Sequence, residues 1–256
     1  MNTSRIEIKV CGLTTPTAAI ACVAAGVDSI GMVFHATSPR NLTPVQAQKI
    51  AAAIPAGVAK VGVFVRQTAD EILRIAAQVG LDTVQFHGEP VPGLYETLLQ
   101  HGLHVVQKLC GSENRLLAQA RLLPPAVGVL VECGRGALPG GNGTPWNWGE
   151  AAVLREIRPF AVAGGLEASN VALALAVSGA SGVDVSSGVE AAPGVKDPGK
   201  VTAFVAAVRA SGARGRGCVF HFGHGGDGAP PSNTYVRKEL EGAAPSAPHS
   251  AQARNP

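Results

Sequence analysis

Residues able to carry acid–base or anion chemistry stand directly behind short apolar runs in this chain. Cys11 and Gly12 follow Val10, His35 and the segment Ser38-Pro39-Arg40 follow Phe34, and His87 and Gly88 follow Phe86. Glu132 follows Val131, Gly164 and Gly165 follow Ala163, and Ser186, Ser187 and Gly188 follow Val185. A thiol becomes a base or nucleophile where its thiolate is favoured. A guanidinium fork suits a carboxylate or phosphate. Proton-transfer catalysis needs facing groups of different proton affinity. The five cysteines Cys11, Cys22, Cys110, Cys133 and Cys218 are odd in number and form no CxxC pair. That spacing fits neither a disulfide framework nor a zinc site. The chemistry expected is therefore carried by side chains, with no metal and no organic cofactor.

The elements that must position these residues alternate along the chain. Strands are expected at Arg5–Val10, Ser29–Phe34, Val58–Val65, Thr83–Phe86, Val105–Leu109, Val127–Val131, Phe160–Ala163 and Gly182–Val185. Helical patterns fill the intervals: Thr17–Ala25, Pro44–Ala53, Ala69–Val79, one between Gly88 and Gly102, one between Ser112 and Arg121, Trp148–Ile157, Ala168–Val177 and Asp197–Arg209. Thr43-Pro44 and Asp197-Pro198 each place a capping side chain before a proline at the first helical position. Strand–helix alternation implies right-handed crossovers and a parallel sheet. Eight such units fit a single (β/α)₈ barrel over residues 1–211, with functional residues on the loops behind the strands. A doubly wound open sheet is the alternative, and the first strand–helix turn lacks GxGxxG. From Gly212 to Pro256 the chain is rich in Gly, Pro, Ala and Ser without a sustained period, which predicts a mostly disordered tail. His221, His224 and His249 fall in it at no standard ligand spacing.

Composition agrees with that architecture. Hydrophobic residues make up 46% and aromatics 4% of the 256 residues, so Ala, Val, Leu and Ile must fill the core. Buried parallel strands read as unbroken apolar runs of this kind. The net charge of +3 has no dense Lys/Arg run behind it, which argues against a nucleic-acid partner. No apolar run reaches a membrane span, and the N-terminus MNTSRIEIKV lacks the apolar stretch of a secretory signal. The expected setting is a reducing cytoplasm. The expected partner is a small phosphorylated molecule, and the expected state is a monomer or homodimer.

Within a barrel the phosphate site is usually built by the loops after strands seven and eight. Gly164-Gly165 and Ser186-Ser187-Gly188 fall on those two loops, and Ser187–Glu190 suits a short extra helix. Glycine lets backbone amides approach an anion closely. Tight turns are the plainer use of these glycines; their coincidence with both expected loops favours phosphate. Position alone leaves other residues open. Cys11 serves equally as a small core residue or as a functional thiol at the mouth. Arg40 serves equally as a ligand fork or a surface ion pair. His87 reads either as a site residue or as a strand-end cap, and Trp146 and Trp148 read as packing. Cys22 and Cys110 read as core.

Seven segments in order carry a resemblance to the phosphoribosylanthranilate isomerases of tryptophan biosynthesis. They are KVCGLT from Lys9, GMVFHATSPR from Gly31, VGVFV from Val61, VQFHGE from Val84, GGNGTPWNW from Gly140, AGGLEASNV from Ala163 and GVDVSSGVEAAPGVKD from Gly182. The resemblance implies a cofactor-free barrel of the ribulose-phosphate-binding type. It implies an Amadori rearrangement of N-(5-phosphoribosyl)anthranilate to 1-(2-carboxyphenylamino)-1-deoxyribulose 5-phosphate. By the same resemblance Cys11 is the general base and Arg40 holds the anthranilate carboxylate. Gly165, Ser187 and Gly188 fall in the phosphate loops. His87 and Asp184 lie in motifs lining the site, and Gly141 belongs to the glycine loop nearby.

Two departures stand out. The family's general acid is an aspartate behind strand six, where this chain has Glu132. Asn142 stands between the glycines where the family has Thr or Ser. Rival readings are other phosphosugar barrels or a barrel that binds a phosphate ligand without turnover. The histidine-pathway isomerase would place an aspartate at Cys11. A metal-dependent epimerase would want His and Asp where Cys11, Phe34 and Phe86 stand.

Overall fold

Eight strands close into one parallel barrel in chain order. They are β1 (Glu7–Cys11), β2 (Ser29–Val33), β3 (Ala59–Phe64), β4 (Thr83–Phe86), β5 (His104–Leu109), β6 (Val127–Val131), β7 (Phe160–Ala163) and β8 (Gly182–Val185). The computed structural model describes residues 4–132 and 146–221. β8 closes the ring against β1, with Lys9 opposite Asp184, and β2 flanks β1 on its other side, with Cys11 opposite Gly31. Seven described α-helices surround the ring: α1 (Pro16–Ala24), α2 (Pro44–Ala51), α3 (Ala69–Val79), α4 (Leu94–Gln100), α5 (Glu113–Leu122), α6 (Val171–Ser178) and α7 (Pro198–Ala210).

Local signals account for these boundaries. Thr43 caps α2 by accepting from Gln46 N, with Pro44 behind it, and Asp197 caps α7 by accepting from Lys200 N. The crossover from β6 to β7 departs from expectation. Trp148–Leu154 is a 3₁₀ helix, not an α-helix to Ile157. Asn147 accepts from Gly149 N, only two residues on, which starts a tight turn. Pro159 then restricts Arg158 to non-helical backbone, so too little length remains for α-helical turns.

Strand side chains alternate between two different interiors. Ile8, Val10, Ile30, Met32, Val84, Val105 and Val129 belong to the large apolar core shared with the helices. The barrel lumen is a separate and partly polar interior. Glu7, Lys9 and Cys11 form its column on β1, rising from floor to mouth.

The C-terminal boundary differs from the tail expected at Gly212. Arg214–Gly215 pairs antiparallel with Ser4–Arg5 across the floor end. Val219 and Phe220 are fully buried and cluster with Val106, Leu130, Ala161 and Ala163 inside the barrel. A segment that enters a barrel end-on buries single side chains and presents no periodic face. That is why its pattern reads as tail. Residues 222–256, with His224 and His249, lie outside the described residues.

Candidate active site

The mouth of the barrel holds an open cleft of about 760 Å³. Cys11 reaches it as the last residue of β1. Beneath the thiol, Lys9 is fully buried and donates to Asp184 Oδ2 at 2.8 Å. Burial pulls the Lys9 ammonium down, but Asp184 and Cys11 more than offset that and hold it charged. Burial likewise pushes the Asp184 carboxyl up against the pull of Lys9. The Cys11 thiol is raised by burial, with Lys9 and Lys196 acting in the opposite sense. The thiol needs its neighbour to be glycine: a Cβ on Gly31 would lie 2.7 Å from Cys11 Sγ.

A second charged group sits on the loop side. Arg40, 6% exposed, grips Glu190 with Nε at 2.8 Å and Nη2 at 2.6 Å. Lys196 Nζ donates to Glu190 Oε1 as well, at 2.6 Å, the oxygen that also accepts from Arg40 Nε. Burial opposes the charge on Glu190, but the bonds from Arg40 and Lys196 hold its carboxyl below the usual range. The Glu190 bond raises Arg40. Nη1 of Arg40 has no hydrogen-bond partner among the described residues. Gly12 makes this grip possible. Its φ is +79°, and a Cβ there would lie 2.3 Å from Arg40 Cδ.

Across the mouth, three strands from β1 around the ring, Glu132 follows β6 and is 7% exposed. Its Oε2 lies 4.0 Å from His87 Nδ1. The other imidazole nitrogen of His87 meets the Gln85 amide at 2.7 Å. The stem of Glu132 passes Gly164, where a Cβ would lie 3.3 Å from its Cγ. Trp146 Nε1 donates to Ala163 O at 2.8 Å and walls the same corner.

The third group is backbone. Gly164 and Gly165 have φ of +86° and +69°, which favours glycine. Ser187–Val189 is a short 3₁₀ turn, as the sequence suggested. A Cβ on Gly188 would lie 1.9 Å from Leu166 O, so the two loops interlock there. The amides of Gly165, Ser187 and Gly188 donate to no described backbone acceptor. Cys11, Arg40, His87, Glu132, Gly165, Asp184, Ser187 and Gly188 therefore all line one cleft. Gly141 and Asn142 lie outside the described residues. Among the described residues no group of His, Cys, Asp and Glu could hold a metal ion.

The family model for N-(5'-phosphoribosyl)anthranilate (PRA) isomerase matches residues 8–207. An N-(5'-phosphoribosyl)anthranilate isomerase from Acidithiobacillus ferrooxidans is 40% identical over 204 residues, covering 80% of this chain and 98% of the relative. The solved phosphoribosyl anthranilate isomerase of Thermotoga maritima is 30% identical with a TM-score of 0.74, covering 80% of this chain and 99% of its own. Another solved isomerase of this name holds reduced 1-(o-carboxyphenylamino)-1-deoxyribulose 5-phosphate, with 29% identity, a TM-score of 0.71, and coverage of 80% and 99%. The chain belongs to the phosphoribosylanthranilate isomerase family.

Membership makes this isomerase an enzyme of tryptophan biosynthesis. Four residues of its site were not singled out from sequence: Lys9, Gln85, Glu190 and Lys196. Two carried a signal. Lys9 and Gln85 are polar residues inside apolar strands, each two positions before a recognised mouth residue, Cys11 and His87. Period two puts each pair on one face. Glu190 and Lys196 gave no such signal, because the hairpin pairing Glu190 with Lys196 appears only in the fold.

Proposed function

We propose that this isomerase performs its Amadori rearrangement with Cys11 as general base and Glu132 as general acid. The carrying observation is the placement of a thiol and a carboxyl behind β1 and β6, facing one cleft between an anion cradle and a guanidinium. The substrate phosphate rests on the amides of Gly165, Ser187 and Gly188. Nη1 of Arg40 takes the anthranilate carboxylate. Asp184 Oδ1 and Gln85 Oε1 are buried acceptors with no hydrogen-bond partner among the described residues, suited to sugar hydroxyls. His87 holds the Glu132 side of the cleft, and Gly141, outside the described residues, is assigned to substrate binding on the family resemblance alone.

The steps balance with two protons. Glu132 protonates the furanose oxygen, and the C1′–O bond breaks to give the iminium. The Cys11 thiolate removes the C2′ proton, and the electron pair forms C1′=C2′. The enolamine then takes a proton at C1′ and loses its hydroxyl proton to give the ketone. Such acid–base groups are typically worth 10²–10⁴-fold each. Because burial raises Cys11, turnover should climb with pH on the alkaline side, as the thiolate fraction grows. The cations Lys9 and Lys196 act against that burial.

The chain acts on this small phosphorylated molecule in the cytoplasm as a monomer or homodimer. A Thermotoga maritima relative is described as dimeric. Among the described residues no helix is long and apolar enough to cross a membrane.

Turnover of anthranilate and phosphoribosyl pyrophosphate, coupled through the preceding transferase, tests the assignment. Cys11→Ala and Glu132→Gln should each lower kcat by at least about 10² with KM little changed. Glu132→Asp should retain clear activity. Near-full turnover by Glu132→Gln with Cys11→Ala dead would assign the acid to another group.

A further inference from the structure

The floor of the barrel is closed by a segment that the family match does not include. That match ends at residue 207, whereas the closing residues are Arg214–His221. On the β6–β8 side this end of the lumen carries little bulk, with Gly128, Ala161 and Gly182 at the inward positions. A Cβ on Gly128 would lie 2.7 Å from Val219 O, so the segment is seated against bare backbone. Val219 and Phe220 fill the space that other barrels fill with strand side chains.

Three strands hold the segment by hydrogen bonds. Glu7 of β1 accepts from the amides of Val219 and Phe220, and its Oε1 meets His221 Nδ1 at 2.6 Å. Thr83 of β4 donates to Phe220 O at 2.8 Å. His104 of β5 donates from Nε2 to Val219 O at 2.7 Å. Phe220 is thus held at both its amide and its carbonyl.

Directly above the ring stands Lys9, with Nζ 5.5 Å from the ring centroid. An aromatic face attracts a cation, most strongly where water is excluded. Lys9 is fully buried, so the ring is its only described neighbour of this kind on the floor side. Level with Lys9 lies Asp184 on β8, and above it on β1 lies Cys11. The column therefore runs from the C-terminal segment to the reactive thiol in two contacts.

We propose that Phe220 is a positioning residue, an aromatic floor that holds the Lys9 ammonium against Cys11 and Asp184 and so sets how readily Cys11 yields its proton. The charged groups facing Cys11 are Lys9 from β1, Asp184 from β8, Lys196 from the hairpin after β8 and Arg40 from the loop after β2. Only Lys9 rests on the C-terminal segment. The kinetic consequence rests on Cys11 being the base; the effect on the thiol itself does not.

The test uses the full chain with Phe220→Leu, which keeps an apolar filler and removes the aromatic face. The pH dependence of Cys11 alkylation by iodoacetamide is read by mass spectrometry of the peptide bearing Cys11. The midpoint should rise by about half a pH unit, or about threefold less thiolate below it. kcat should fall by a similar factor with KM unmoved. Thr83→Val frees only the Phe220 carbonyl and should give a smaller shift in the same direction; it decides the matter if Phe220→Leu does not fold. Parental alkylation profiles in the folded variants, with only a lower Tm, would overturn the proposal and leave the segment a structural plug. A moved profile with unchanged kcat would support Phe220 and instead remove Cys11 as base.

Discussion

Replacing Gly31 by alanine should disable the site by moving one sulfur. Gly31 sits in β2 opposite Cys11. The added Cβ would lie 2.7 Å from Sγ and 2.9 Å from the Cα of Cys11. Comfortable separation is about 3.5–4.0 Å, so roughly 1 Å must be recovered. The second contact is backbone and cannot swing away, so the strand and its thiol shift together. Overpacking of this kind costs about 1–3 kcal/mol. At about 2–4 °C per kcal/mol for a domain of this size, Tm should fall by roughly 2–12 °C. A displacement near 1 Å costs about 10² in rate, so kcat should drop by that order with KM nearly constant. The assay is the coupled turnover measurement beside a thermal melt. Gly62→Ala supplies the control. Its Cβ would meet the side chains of Leu81 at 2.4 Å and Phe64 at 2.7 Å on the outer face, away from the thiol. It should lower Tm and leave kcat near the parental value. If Gly31→Ala turns over within about threefold of the parent, the thiol is not held as tightly as the contact implies.

Glu190→Gln would leave Arg40 and Lys196 buried without their shared counter-ion, at a cost of about 3–5 kcal/mol. Tm should fall by more than about 6 °C and KM should rise at least tenfold; an unchanged KM would separate Arg40 from substrate binding. Burial lowers His221, but its bond to Glu7 more than offsets this and raises it. Its contribution is therefore fully present below the unfolded value near 6.5 and fades as pH rises through the folded value. His221→Gln should thus lower Tm more at pH 5.5 than at pH 8.5, and equal losses at both would show that the ion pair with Glu7 contributes nothing. The Ser29 hydroxyl is buried with no partner among the described residues, so Ser29→Ala should leave Tm unchanged or raise it. A fall of several degrees in circular-dichroism melts would reveal a hydrogen bond that the geometry does not contain.

The alternation of apolar runs with helical periods was enough to specify the eight-stranded barrel. Each strand is short and buried on both faces, so its composition alone marks it. Thr43-Pro44 and Asp197-Pro198 were legible for a similar reason, since capping is settled within one helical turn. The mouth residues were legible because a parallel barrel puts every strand end on one rim. Cys11, Arg40, His87, Glu132, Gly165, Ser187 and Gly188 follow from that single topological fact, whereas Asp184, inside β8, came only with the family resemblance. What the tertiary structure alone decided are pairings between distant residues. Arg40 meets Glu190 across 150 positions, and Lys9 meets Asp184 across 175. Neither partner's local sequence favours the other. The clearest case is the segment from Arg214 to His221. Its Gly-rich, aperiodic sequence has no face to bury, and it reads as tail. Its order comes from a lumen emptied by Gly128, Ala161 and Gly182 and from the carboxylate of Glu7. A residue far along the chain acquires its place because inward positions of distant strands leave room at the floor, and that room exists only once the barrel has closed.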